Sequence, residues 1–85
     1  MDLLKQVKDR INVTWDYEDE KISEIIEEGK DFILSRVGEV DFDTSVVGRK
    51  LIKEYTMYAW NGAVASFEDD FKSDILNLQI RNALR

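Results

Sequence analysis

The 85 residues include no cysteine, no histidine and no proline, and each absence removes a class of chemistry. Without cysteine there is no disulfide, no thiolate nucleophile and no thiolate-ligated zinc, so the redox compartment leaves no trace in the chain. Without histidine the usual general base and the commonest metal ligand are both missing, which excludes serine-histidine-acid and cysteine-histidine catalysis. The four glycines, Gly29, Gly38, Gly48 and Gly62, are scattered, so with proline also absent nothing reads as a linker and residues 1–85 are expected to form one domain. No apolar run approaches the roughly 18 residues a membrane span needs, and no basic leader precedes Leu3 and Leu4, so a soluble, intracellular chain is expected. Asn12-Val13-Thr14 matches a glycosylation acceptor, which carries no weight without a secretory signal.

What is present is charge, at 35% of residues with a formal net value of -6. Between Asp16 and Asp31 eight acids face only Lys21 and Lys30, so the whole formal excess lies in that stretch. Arg49, Lys50 and Lys53 form a basic island too small to track a phosphate backbone. A domain this short buries only about 60 to 65% of its unfolded surface, so support from partner subunits is plausible on size alone.

The apolar periodicity predicts an all-α fold, a small bundle of four helices at about 2-10, 16-37, 44-66 and 70-84 joined by extended connectors. Leu3, Leu4, Val7 and Ile11 mark the first helix, and Ile11 to Trp15 reads as an extended connector with Trp15 packed on the core. Asp16 is the expected N-cap of the second helix, followed by acids that the helix dipole favours. Ile22, Ile25, Ile26, Gly29, Phe32, Ile33 and Val37 then fall within an arc of about 140°, a core-facing stripe that Gly38 terminates. Val40 and Phe42 should drop from a loop onto the core, with Thr44 or Ser45 capping the third helix.

That helix carries one stripe through Val47, Leu51, Tyr55, Tyr58, Ala59, Gly62 and Ala65 and a second through Met57, Trp60, Val64 and Phe67. The last helix repeats the pattern, with Phe71, Ile75 and Leu78 on one side and Leu76, Ile80, Ala83 and Leu84 on the other. A chain of this size has few layers with which to cover two faces of two helices. Met57, Trp60, Val64, Phe67, Leu76, Ile80 and Leu84 are therefore the candidate subunit interface, where aromatics and methionine are enriched.

Three other constellations are weaker. Asp16, Glu18, Glu20, Glu24 and Glu27 can be laid on a calcium loop, but Lys21 stands where the sharp turn requires glycine and the isoleucines keep helical spacing. Glu24 with Glu27 and Glu28 with Asp31 resemble the magnesium-holding pairs of all-α nucleotide pyrophosphohydrolases, yet the third helix offers only Glu54 in place of a second pair. Tyr55, Tyr58 and Trp60 as a base-stacking platform lack the cations that phosphates would need. No catalytic, metal or cofactor site is expected. Glu20, Glu24, Glu27, Glu28 and Asp31 read as an acidic face.

Taken together, the short first helix, the Ile11-Asn12-Val13-Thr14-Trp15-Asp16 connector, the acid-started helix with Ile22, Ile25, Ile26, Phe32 and Ile33, Leu51-Ile52-Lys53-Glu54-Tyr55 leading to Tyr58-Ala59-Trp60-Asn61, and the closing Phe67-Glu68-Asp69-Asp70-Phe71 before Asp74-Ile75-Leu76-Asn77-Leu78-Gln79-Ile80 resemble the head-tail connector proteins of tailed bacteriophages and prophages. The resemblance spans nearly the whole chain and rests on helix order, the Trp15-Asp16 entry and the Leu78-Gln79-Ile80 ending. It implies a non-enzymatic structural protein of the virion, assembled in the host bacterial cytoplasm as a dodecameric ring between the portal protein and the tail or stopper protein, with no cofactor and no membrane contact. Twelve chains of -6 would carry -72, repelling the DNA that passes without specific binding. The alternative from the residues is a small acidic helical protein-binding module, a regulator or a DNA-mimic inhibitor, using the Asp16 to Asp31 face.

Overall fold

In a computed structural model, which describes residues 2–84, the chain is all-helical: α1 spans Leu3–Arg10, α2 Asp19–Val37, α3 Val46–Trp60, α4 Phe67–Asp70 and α5 Lys72–Ala83. A single 3-10 turn, Val64–Ser66, precedes α4. α1 runs alongside α3 in the same direction, since Leu4 and Asp43 line one crevice and Arg10 makes a two-pronged bond to Glu54 at 2.9 and 3.0 Å. α2 and α5 cross the opposite way. One cluster of buried side chains joins all of them, from Val7 through Ile22, Ile26, Ile33, Leu51 and Ile52 to Ile75 and Leu78.

Local chemistry explains most of the boundaries. The Asp2 carboxylate accepts from the Lys5 amide at the start of α1, and Ser45 Oγ accepts from the Gly48 amide at the start of α3, each satisfying an amide the helix leaves unpaired. Gly38 closes α2 with φ 86°, a left-handed conformation that glycine adopts without steric cost. Phe42 is buried and Val40 half-buried, as the alternation of their segment predicts.

The connector after α1 differs from the extended segment expected. Asn12 takes φ 60°, the Asn12 amide bonds back to Asp9 and the Val13 amide to Lys8, and Val13 folds into the core. This is a left-handed C-terminal cap, which asparagine tolerates better than other side chains. α2 then begins at Asp19 rather than at Asp16. Asp16 is no cap: its carboxylate takes the Lys8 ammonium at 2.7 Å instead, and the chain turns once through Tyr17 and Glu18 before the helix starts. Trp15, expected on the core, is exposed.

The largest departure lies in the third helix, expected to run to residue 66. It stops at Trp60, where the Gly62 amide bonds to Ala59, the Ala63 amide bonds to Tyr58 at 2.7 Å and Gly62 takes φ 73°. The Asn61 side chain adds a bond to the Met57 carbonyl. These contacts satisfy the last carbonyls of α3 and reverse the chain, so the apolar phase is reset past Gly62.

That reset puts Phe67 at the centre of the molecule. It is 1% exposed, with ring centroids 5.0 Å from Phe71, 5.3 Å from Tyr55, 5.7 Å from Tyr58 and 5.9 Å from Phe32. Its contacts with Tyr55, Tyr58 and Phe32 are edge-on, the arrangement that ring quadrupoles favour. Tyr55 in turn presses on Gly29, where a Cβ would stand 2.7 Å from a ring carbon, so glycine sets the α2–α3 spacing. Phe67→Ala should lower stability by about 3 to 5 kcal/mol, and Gly29→Ala by about 1 to 3 kcal/mol, each read as a shift of the urea unfolding midpoint. Against the roughly 0.05 to 0.15 kcal/mol per residue of a typical domain, the Phe67 change removes a large fraction of the total stability.

Candidate functional site

The structure disperses the predicted interface. Phe67 is a core residue and is withdrawn from that set, because the chain reversal at Gly62 breaks the continuous helix on which its stripe depended. Met57 lies half-buried outside the core cluster, Trp60 is half-buried and packed against the core with Lys21 Nζ of α2 5.2 Å from its ring centroid, and Val64 is exposed in the 3-10 turn.

The α5 members stay together. Ile75 and Leu78 face the core, while Leu76, Ile80 and Leu84 are 51, 49 and 81% exposed. With Ala83, also exposed, they recur at intervals of four, three and one residue, the spacing of a second helix face. The inner face is anchored by polar bonds as well as by packing. Gln79 Nε2 donates to the Arg36 carbonyl at 2.7 Å, and Asn82 Nδ2 donates to the Val37 carbonyl and to that of Glu39. These amides cap the C-terminal end of α2 from a neighbouring helix. A crevice of ≈ 610 Å³ opens beside them, but its amide groups are already spent on backbone carbonyls.

Glu20, Glu24, Glu27, Glu28 and Asp31 are all exposed, and at 100° per residue they share one face of α2 about 100° wide. Only Glu27 has an ion-pair partner among the described residues, Lys30 at 3.6 Å. Like charges one turn apart oppose the helix by a few tenths of a kcal/mol per pair, a cost that the buried stripe opposite readily offsets. Among the described residues no three acids converge as a metal site.

Trp15, expected on the core, instead forms an exposed pair with Tyr17, a residue that the sequence does not single out. They stack at 5.9 Å between centroids with 21° between planes, and the Trp15 indole N–H donates to Glu18 Oε1 at 2.7 Å. Tyr17 is 83% exposed. The available signal was that Tyr17 belongs to neither apolar stripe flanking it. Beneath the pair, Lys8 Nζ stands 2.7 Å from both Asp16 and Asp19, hydrogen-bonded to the first and held to the buried Oδ1 of the second by charge, off the donor axis. These carboxylates raise the Lys8 ammonium's pKa.

No family model matches the chain, and no curated protein or solved structure matches it.

Two polar ties close the α4 side. Arg36 bonds Glu68 at 2.8 Å and holds that carboxyl below its ordinary pKa, while the Tyr58 hydroxyl donates to Asp70 at 2.7 Å and is raised above the ordinary phenol value. A lowered carboxyl pKa gives stability that is present above the unfolded-state value and lost as pH falls through the folded one. The raised phenol gives stability present below its unfolded value and lost as pH climbs through the folded one. In an acid titration followed by carboxyl NMR, Glu68 should show a midpoint below the ordinary glutamate value, returning to it in Arg36→Gln. In an alkaline titration followed by tyrosinate absorbance, Tyr58→Phe should remove one of the late-ionising phenols.

Proposed function

We propose that this chain is a non-enzymatic, self-assembling structural protein, a ring adaptor of the head-tail connector kind that joins a phage portal vertex to a tail and lets DNA pass. The observation that carries the reading is the apolar row Leu76, Ile80, Ala83 and Leu84, exposed along the outer side of a helix whose inner side is already packed and hydrogen-bonded. An isolated exposed leucine is ordinary, but a row at helical spacing is what a partner surface requires. The chain is also flat, with extents of 41 × 27 × 16 Å, a shape that offers two broad sides to neighbours. Two contacts of the standard size, about 800 Å² per partner, would use a little under a third of its 5471 Å² surface. The carboxylate face of α2 suits a channel lining, since it repels a phosphate backbone instead of gripping it.

The helix order and the Trp15-Asp16 and Leu78-Gln79-Ile80 segments supply the resemblance to phage connectors, and virion assembly beside a portal and a tail or stopper protein follows from that resemblance. The same five exposed carboxylates favour a second reading, a binding module for a basic protein partner, whose affinity would fall steeply with salt.

Native mass spectrometry over a wide concentration range separates the two. A closed ring is expected for the wild type. Ile80→Glu should leave the circular dichroism spectrum unchanged and abolish the ring, because it places a charge in the middle of the apolar row. A wild-type chain that stays monomeric at the highest concentration would overturn self-assembly of the free chain and leave a portal-templated connector or the acidic module.

A further inference from the structure

We infer that the Trp15–Tyr17 pair is the male half of an end-to-end contact, and that its female half is the Val46, Arg49, Lys50 and Lys53 strip of a second copy of this chain. The inference deepens the ring reading by naming a subunit contact separate from the α5 row, and it starts from a cost the fold accepts. A tryptophan and a tyrosine are displayed on a turn, one of them 83% exposed, although Trp15 stands only two residues from the buried Val13. Their display is ordered in advance. The indole is tied to Glu18, the rings are stacked, and Asp16 between them is tethered to Lys8 on α1. Rigid aromatics lose little conformational entropy on docking, which is why such side chains dominate binding surfaces.

The chemistry of the pair defines what it fits. Asp16, Glu18, Asp19 and Glu20 surround the rings, with Lys8 and Lys21 as the nearby cations, so the patch is acidic and presents π faces. A matching surface carries guanidinium or ammonium groups beside a small apolar contact. The chain already uses such pairings internally, with Arg36 4.4 Å from the Phe32 ring centroid and Lys21 5.2 Å from that of Trp60.

The outer face of the first half of α3 has that composition. Val46 is exposed, Lys50 is exposed, and Arg49 and Lys53 are partly so. Arg49 is steadied by the Asp43 carbonyl and Lys50 by Asp74 at 3.5 Å, while Lys53 has no ion pair among the described residues. This is the small basic island that was too slight for nucleic acid.

Within one chain the strip begins well away from the ring pair, at Val46, Arg49 and Lys50, and only Lys53, at the middle of α3, comes beside Asp9 and Arg10 at the end of α1. Because α1 runs parallel to α3, with Arg10 beside Glu54, the turn that follows α1 lies toward the C-terminal end of α3, near Trp60 and Lys21. Val46 is at the other end, beside the crevice that Leu4 shares with Asp43. Two different complementary patches displaced from one another along the molecule make a head-to-tail contact, which closes into a ring when the rotation between copies permits.

The test uses two surface variants of the full chain, Tyr17→Ser, which blunts the rings, and Lys53→Glu, which reverses the free cation. Each should fold as the wild type does by circular dichroism and weaken self-association by about tenfold or more in native mass spectrometry. Mixed in equal amounts, they should form a discrete heterodimer, because each retains the half the other lacks. Raising salt from about 0.05 M to about 0.5 M should dissociate it. Either variant assembling as well as the wild type, or a mixture that yields no heterodimer, overturns the contact. If wild type and both variants form the same ring, the end-to-end contact falls and the ring reading stands. If the wild type forms only open chains that both variants disrupt, the contact stands and the closed ring falls.

Discussion

The insertion of Phe67 between α2 and α3 is the interaction on which the remainder of the structure depends. Phe32, Tyr55, Tyr58 and Phe71 surround it, so one ring of α4 is the meeting point of α2, α3 and the junction between α4 and α5. The burial of this ring, together with the packing of Ile75 and Leu78 and the Gln79 and Asn82 bonds to the end of α2, places the last third of the chain. The insertion requires the reversal at Asn61 and Gly62, where a positive φ stops α3 and sends the chain back across its own aromatic face. It also requires the close approach of α2 and α3 at Gly29, which lets the Tyr55 ring lie flat enough to form one wall.

Around that hub, polar groups set direction and apolar groups supply most of the energy. Gln79 and Asn82 spend their amides on the end of α2, Arg36 takes Glu68, and Arg10 takes Glu54. Surface ion pairs of this kind add little to stability individually. Their effect is to fix the rotation of α5 and of α1, and for α5 that rotation decides which apolar residues go inward. Ile75 and Leu78 are used, and Leu76, Ile80 and Leu84 are left outside. The unpartnered row is thus a consequence of a well-determined inner face, not of loose packing.

Much of this architecture was legible in the residues. The stripe from Ile22 to Val37, its stop at Gly38, the Ser45 cap and the placing of Phe42 all follow from local rules whose physics operates within a few residues. The acidic face was legible for the same reason, because five carboxylates at helical spacing on an amphipathic helix can only point away from its buried side. Reading failed at turns. Asn12 and Gly62 each close a helix in a left-handed conformation, and periodicity carries no information about φ. The error at Gly62 propagated: a phase carried through it placed Phe67 with Met57, Trp60 and Val64, whereas the reset phase buries it. Trp15 failed differently, since its bulk argued for the core and its partner Glu18 holds it outside.

By itself the sequence determined the helical class, the charge asymmetry, the absence of histidine and cysteine chemistry, and a surplus of apolar faces over layers to cover them. These properties depend on composition and on spacing along a single helix, which are local and additive. Only the tertiary structure decided which of the surplus faces is buried and which is left for a neighbour. That choice turns on one backbone reversal, one buried ring and the polar bonds that set the rotation of α5, and it is cooperative: the burial of Phe67 and the Gln79 and Asn82 bonds together fix the path of α4 and α5, and their path selects what remains exposed.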